Sequence, residues 1–375
     1  MIRSVVNILF RIYENKISRC VLTVISVLLY ANCYAQKEIA LVNADSKSIQ
    51  YQGRIGMNDP GVAEIYWPGS SVKLKFRGTG IKATLRDKRG NNYYNIIIDE
   101  DSVYVLKLDT NKTTYTLASG LSAGEHTVEL FRRTGWTSGI TWFYNFQLSP
   151  HSKILDLPVK KRMIEFYGNS ITVGAAVENY VYAPGDTTDT NNSLSYGYLT
   201  AKRFDANYSC IASSGIGIMV SWGSLTMPEI YDRLNPYDST SKWDFSKATP
   251  GIIVINLFQN DNALVNLPDH PQFKRRFGSK APTEDFIIHS YGRFVQSIRG
   301  HYPDAHIICV LGNMDAVKPG SPWPGYIEKA VALLGDKKVY TCFFPYKNSP
   351  GHPDENEQRQ MAEYLARFID DHIKW

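Results

Sequence analysis

Up to about Leu155 the chain reads as strands alone, and beyond Pro158 strands alternate with helices. One uniform architecture does not accommodate both patterns. In the first part, Val72-Lys73-Leu74-Lys75-Phe76-Arg77 and Ile81-Lys82-Ala83-Thr84-Leu85 alternate apolar and polar residues, so each has one buried and one wet face. Asn95-Ile96-Ile97-Ile98-Asp99 and Thr127-Val128-Glu129-Leu130-Phe131 are two more strands. The turn signals Arg77-Gly78-Thr79-Gly80, Arg89-Gly90-Asn91-Asn92 and Ser122-Ala123-Gly124 are read as separators. Many short strands without helical periodicity predict a β-sandwich of jelly-roll type over residues 36–155.

Residues 156–375 read differently. Strands are expected at Met163–Tyr167, Tyr208–Ala212, Gly251–Leu257, His306–Leu311 and Lys338–Phe344. Helices are expected over Ser193–Phe204, Asp285–Gly300 and Gly325–Leu334, and over a last stretch from about Asp354 to Ile373. Ser193 is the expected N-cap of the first. In the last, Met361, Leu365, Phe368 and Ile369 make the apolar stripe. Alternating βα units predict a parallel sheet with helices on both faces, a three-layer α/β/α domain. A length of 375 residues suits two such domains, and an apolar fraction of 43 % suits sizeable cores.

Residues 1–35 have a basic stretch, an apolar run from Val21 to Tyr30 and then Ala31-Asn32-Cys33-Tyr34-Ala35. The run is short for a bilayer span, so the segment reads as a cleaved signal peptide and the protein as secreted or periplasmic. A lipoprotein acylated on Cys33 is the weaker alternative, because Asn32 precedes that cysteine. Of the formal charge of +5, the leader carries +3 through Arg3, Arg11, Lys16 and Arg19 against Glu14. No basic stripe marks a nucleic-acid partner, and Lys274-Arg275-Arg276 reads as solvated surface. No apolar run outside the leader is long enough for a membrane span. The three cysteines beyond the leader, Cys210, Cys309 and Cys342, each lie in an apolar segment without CxxC spacing. They read as buried hydrophobes rather than disulfides or zinc ligands. No metal or organic cofactor is expected.

The chemistry gathers at the ends of the expected parallel strands, where such folds place their sites. Ser170 follows the first strand through Gly168-Asn169, in a turn that would expose its hydroxyl and bring a helix N-terminus behind it. By itself that is a weak signal, and it is not the G-x-S-x-G elbow. Ser213-Ser214-Gly215-Ile216-Gly217 follows the second strand, Phe258-Gln259-Asn260-Asp261 the third, and Gly351-His352-Pro353 precedes the last helix. Glycine lets a backbone N–H approach a ligand, and an amide side chain adds a donor. Ser170, Gly215, Asn260 and His352, in that order, resemble the four blocks of the SGNH (GDSL-type) hydrolases.

The resemblance is closer to carbohydrate esterase family 2. It rests on Tyr66-Trp67-Pro68-Gly69-Ser70, Phe76-Arg77-Gly78-Thr79, Tyr94–Asp99, Gly120–Leu130, Arg132-Arg133-Thr134, Gly168–Thr172, Asn192–Gly197, Ser214–Gly217 and His352-Pro353. That family joins an N-terminal jelly roll to an SGNH domain and removes acetyl groups from plant-wall polysaccharides such as xylan and glucomannan. The resemblance implies Ser170 as nucleophile and His352 as base. It implies the N–H groups of Ser170 and Gly215 with the Asn260 side chain as the oxyanion hole, and an acetylated polysaccharide or oligosaccharide as the substrate partner.

Three positions depart from the pattern. Asn169 stands where the family has Asp. Ser349 stands three residues before His352, where many SGNH enzymes place an Asp, so a Ser–His pair is expected. Phe258 stands where Gly is common. Gly217 is the second choice for the glycine donor. His270, also followed by Pro, lies too close to the third block to be the base. His126 reads as structural and Asp261 as a support for its loop. Trp222, Trp323 and Tyr346 are candidates for stacking on a sugar. Two other functions stay open: a catalytically weakened carbohydrate-binding protein, and a lipase or thioesterase acting on other acyl esters.

Overall fold

The computed structural model describes residues 40–179 and 187–375. The expected signal peptide, with Cys20 and Cys33, lies outside the described residues. Ten strands form one antiparallel sheet: β1 (Leu41–Asn43), β2 (Gln50–Gln52), β3 (Ile55–Asp59), β4 (Val62–Ile65), β5 (Ser71–Asp87), β6 (Tyr93–Ile98), β7 (Ser102–Lys107), β8 (Thr113–Arg132), β9 (Thr141–Leu148) and β10 (Lys153–Leu155). Their order is β3-β4-β9-β5-β8-β6-β7, with β1 on β9 and with β2 and β10 on β5.

The sequence splits β5 and β8 into shorter pieces, but they are continuous strands of 17 and 20 residues. Gly78-Thr79-Gly80 runs on as strand rather than turning; the pairing shifts register here, Gly78 facing Gly124 and Gly80 facing Ser119, so the extra residues bulge out of β8. A bulge bends the strand that carries it. Before it β5 pairs with β2 and β10, and after it with β9, while β8 follows along its other edge. The sheet thus curls over an interior of Val72, Leu74, Phe76, Ala83, Leu85, Tyr94, Ile96, Leu130, Phe143 and Phe146.

Five strands form a wholly parallel second sheet: β11 (Arg162–Gly168), β12 (Ala206–Ala212), β13 (Ile252–Asn256), β14 (His306–Leu311) and β15 (Val339–Phe343), in the order β12-β11-β13-β14-β15. Eight α-helices are described with it: α1 (Ser170–Val173), α2 (Tyr196–Arg203), α3 (Met227–Ile230), α4 (Gln259–Leu264), α5 (Pro271–Phe277), α6 (Glu284–His301), α7 (Trp323–Leu334) and α8 (Glu355–His372). Alternate strand residues feed opposite cores. Ile164, Phe166, Tyr208, Cys210, Val254, Ile308 and Val310 meet α2 and α8. Tyr167, Ile211, Ile253, Ile255, Ile307 and Cys309 meet α6 and α7. The three cysteines are buried and free.

The second helix starts later than the sequence suggests. Ser195, rather than Ser193, accepts the N–H of Tyr198 as its N-cap, because the Ser193 hydroxyl is given to Asn191. The short helices α3, α4 and α5 carry no extended periodic stripe and are not legible as helices. Among the described residues no helix is long and apolar enough to cross a membrane.

The two sheets share a core. Tyr66, Trp67 and Ile140 pack with residues of the parallel sheet and its helices. Buried Arg54, between β2 and β3, donates to Glu165 of β11, to Tyr167 Oη and to the carbonyls of Tyr231 and Arg233.

Candidate active site

β11 lies second in the strand order, with β12 on one side and β13 on the other. The chain turns from one side to the other between β12 and β13, which places a crevice beyond the carboxyl ends of these strands. Gly168, Ala212 and Asn256 are in register there, and the Ser213 N–H reaches the Gly168 carbonyl. Ser170, Gly215 and Asn260 follow these three strand ends.

Ser170 opens α1, a helix of only 4 residues. So short a helix leaves nearly all its terminal groups without helical partners. Three amide side chains take their place. Asn169 Oδ1 accepts the Ile171 N–H at 3.0 Å as the N-cap. Asn192 Nδ2 donates to the carbonyls of Thr172 (3.0 Å) and Val173 (3.2 Å), and Gln358 Nε2 donates to that of Ile171 (3.0 Å). Asn169 thus performs the local hydrogen bonding of an aspartate without burying a charge. Gly168 is required by packing: a Cβ there would lie 2.0 Å from Thr172 Oγ1. One turn carries only a small dipole, so the support for negative charge expected from a helix behind Ser170 reduces to its first N–H groups.

Ser170 Oγ lies 2.8 Å from His352 Nε2. Ser170 is 7 % exposed. Burial, with a smaller contribution from the Lys347 cation, pushes the His352 imidazole down to about 4, so it is neutral at pH 7. Its loop is tied down from one side. Lys347 Nζ donates to Ser349 Oγ (2.8 Å) and the Pro350 carbonyl (3.0 Å) and pairs with Glu357, which also accepts the Ser349 hydroxyl. Glu357 closes a capping box with Asp354 at the start of α8. The serine in the usual aspartate position therefore braces the loop against α8.

Gly215 has φ +77°, the left-handed region that favours glycine. Gly217, the second choice for the donor, gives its N–H to Ser221 Oγ at 2.9 Å. Asp261 accepts the N–H groups of Ile218, Met219 and Val220, as a loop support does. Burial outweighs those donors and raises its carboxyl to about 6. Asn260 Nδ2 donates to the Ile216 carbonyl at 2.8 Å, and its Oδ1 accepts the Trp222 indole N–H at 3.1 Å. Phe258 keeps the backbone that glycine usually supplies, at φ +82°, and its buried ring packs on Tyr291 and Trp323. That leaves Trp323 in the core; Trp222 is 47 % exposed and Tyr346 half-buried.

His270 is the N-cap of α5, accepting the Gln272 N–H, and its ring meets Trp222. His126 bonds Asp99 and the Ser122 carbonyl far from this edge. Gln358 and Tyr196 are missing from the sequence-based set. Gln358 is fully buried, and its Oε1 also accepts the Tyr196 N–H. The Tyr196 hydroxyl joins Thr172 Oγ1 and Asn256 Nδ2. A polar residue on the apolar stripe of α8 was the signal for Gln358; no comparable signal marks Tyr196. No cluster of metal-ligating side chains occurs among the described residues.

Residues 51–158 match the family model described as carbohydrate esterase 2 N-terminal. The chain is 32 % identical over 345 residues to the cellulase/esterase CelE of Acetivibrio thermocellus, covering 88 % of this chain and 40 % of CelE, so it spans about two fifths of that relative. It is 26 % identical over 343 residues to an acetylxylan esterase / glucomannan deacetylase of Cellvibrio japonicus, covering 89 % of this chain and 91 % of the relative. The solved structure of a family two carbohydrate esterase from Clostridium thermocellum, in complex with cellohexaose, superposes with a TM-score of 0.76 at 30 % identity. That match covers 86 % of this chain and 98 % of the other. A curled antiparallel sheet joined to a helix-covered parallel sheet, and this likeness along nearly all of the described residues, establish that the chain belongs to carbohydrate esterase family 2.

Proposed function

We propose that this protein removes O-acetyl groups from plant-wall polysaccharides or oligosaccharides, xylan and glucomannan among them, through an acyl-enzyme on Ser170. The observation that carries the reading is the 2.8 Å approach of Ser170 Oγ to a neutral His352 Nε2, at the strand edge shared with Gly215 and Asn260. Ser170 Oγ attacks the acetyl carbonyl carbon as its proton passes to His352 Nε2. The oxyanion is met by the N–H groups of Ser170 and Gly215 and by the Asn260 amide. That amide has a second N–H beyond the one given to Ile216. Collapse breaks the bond to the sugar oxygen, which takes the proton from His352. Water, deprotonated by the same imidazole, then releases acetate.

The names of the relatives support acetyl as the acyl group and xylan or glucomannan as its carrier. In the same reading the division into two domains falls between β10 and β11, and residues 1–35 direct export. The test is hydrolysis of p-nitrophenyl acetate against longer-chain p-nitrophenyl esters. The acetyl ester is cleaved preferentially and Ser170→Ala abolishes its cleavage. Preference for the longer chains would favour a lipase, and equal inertness of both proteins a binding role.

A further inference from the structure

Trp222 touches both loops that carry the oxyanion donors other than Ser170. Its backbone N–H donates to the Gly215 carbonyl at 2.9 Å, and its indole Nε1 donates to Asn260 Oδ1 at 3.1 Å. A Cβ on Gly215 would lie 3.2 Å from the Trp222 Cβ, so the two residues are in close contact. The indole is itself fixed from the far side, where the His270 ring meets it edge-on at 5.2 Å and 83°. His270 is in turn held by its role as the N-cap of α5.

The chemistry of these partners selects one orientation of Asn260. An indole N–H only donates, so it takes the amide oxygen; the Ile216 carbonyl only accepts, so it takes an amide N–H. With those two bonds made, one N–H of Nδ2 remains, and its direction is set. A flipped amide would oppose donor to donor at Trp222 and acceptor to acceptor at Ile216.

We infer that Trp222 is a positioning residue: its indole N–H locks the Asn260 amide so that the free Nδ2–H is held in the oxyanion hole before substrate binds. The inference rests on the esterase reading above and adds to it the device that preorganises one donor. Preorganised donors stabilise charge that develops only in the transition state, so loosening one lowers kcat more than it changes KM.

Trp222→Phe removes the indole N–H and keeps an aromatic ring and the backbone bond to Gly215. On p-nitrophenyl acetate, which has no sugar to stack, its kcat is expected to fall about tenfold, with KM within about twofold of wild type. Asn260→Ala is expected to lose about a hundredfold, and the double variant no more than Asn260→Ala alone, because the indole acts only through that amide. A Trp222→Phe enzyme with wild-type kcat, a change confined to KM, or losses that multiply in the double variant would each overturn the inference and leave the esterase reading standing. A wild-type protein inert towards the acetyl ester removes that reading, and this inference with it.

Discussion

Asn169, His352 and Phe258 each put a residue in an unusual setting beside the site. Asn169 keeps the cap on α1 that an aspartate would supply. Phe258 adopts a left-handed backbone that costs on the order of 1 kcal/mol for a side chain with a Cβ. The position survives because its ring is fully buried among Tyr291 and Trp323. His352 is pushed down to about 4, chiefly by burial. In the proposed mechanism His352 must be neutral to accept the Ser170 proton, so its protonation sets the acid limb of the reaction. The limb is lost as pH falls through the lowered value in the folded enzyme, not through the ordinary histidine value of about 6.5. A kcat/KM profile on an acetyl ester is therefore expected to stay level from neutrality to about pH 5 and to fall towards pH 4. A limb centred near 6.5 would show that His352 is not held in this desolvated state.

At the scale of elements, Ser170, the proposed nucleophile, sits on a helix too short to hold itself. Asn169, Asn192 and Gln358 take up its backbone groups, and Gln358 comes from α8, directly after the His352 loop. One buried amide thus ties the element carrying Ser170 to the element that follows the His352 loop. Gln358→Leu is close in size but leaves the buried Tyr196 N–H without its partner and the Ile171 carbonyl with the Gly174 N–H alone. It is expected to cost about 2–4 kcal/mol in denaturant unfolding and to reduce kcat as well. Unchanged stability would place the weight elsewhere. The sequence marked Ser170, Gly215, Asn260 and His352 because each ends or follows a strand within a short, recognisable block. It did not mark Trp222 as a partner of Asn260, nor Tyr196, because those contacts join loops and helices far apart in the chain. The long strands β5 and β8 were misread for a related reason: Gly78 and Gly80 signal a turn locally, and only the pairing of β5 with β8 on both sides of the register shift keeps the segment in one strand.

Over the whole molecule, the two sheets were legible as two periodicities, but their fusion was not. Tyr66 and Trp67 enter the core beneath the parallel sheet, and the Trp67 indole donates to the Leu234 carbonyl at 3.0 Å. Fully buried Glu165, three residues before the end of β11, gathers Arg54, Tyr167, Tyr302 and Ser209. Removing one partner of a buried ion pair commonly costs about 3–5 kcal/mol, so the curled sheet acts as a structural support of the strand that presents Ser170. Arg133 continues that support: it bonds the Thr190 carbonyl and pairs with Glu178, on the polar stretch that follows Ser170. These contacts support the strand edge holding Ser170 and His352, where carbohydrate deacetylation is proposed. The direct measurement is acetate released from acetylated xylan and acetylated glucomannan by the wild-type protein and by Ser170→Ala. Acetate is expected from at least one polymer with the wild type and none above background with the variant; equal release by the two, or none by either, would contradict deacetylation at this strand edge.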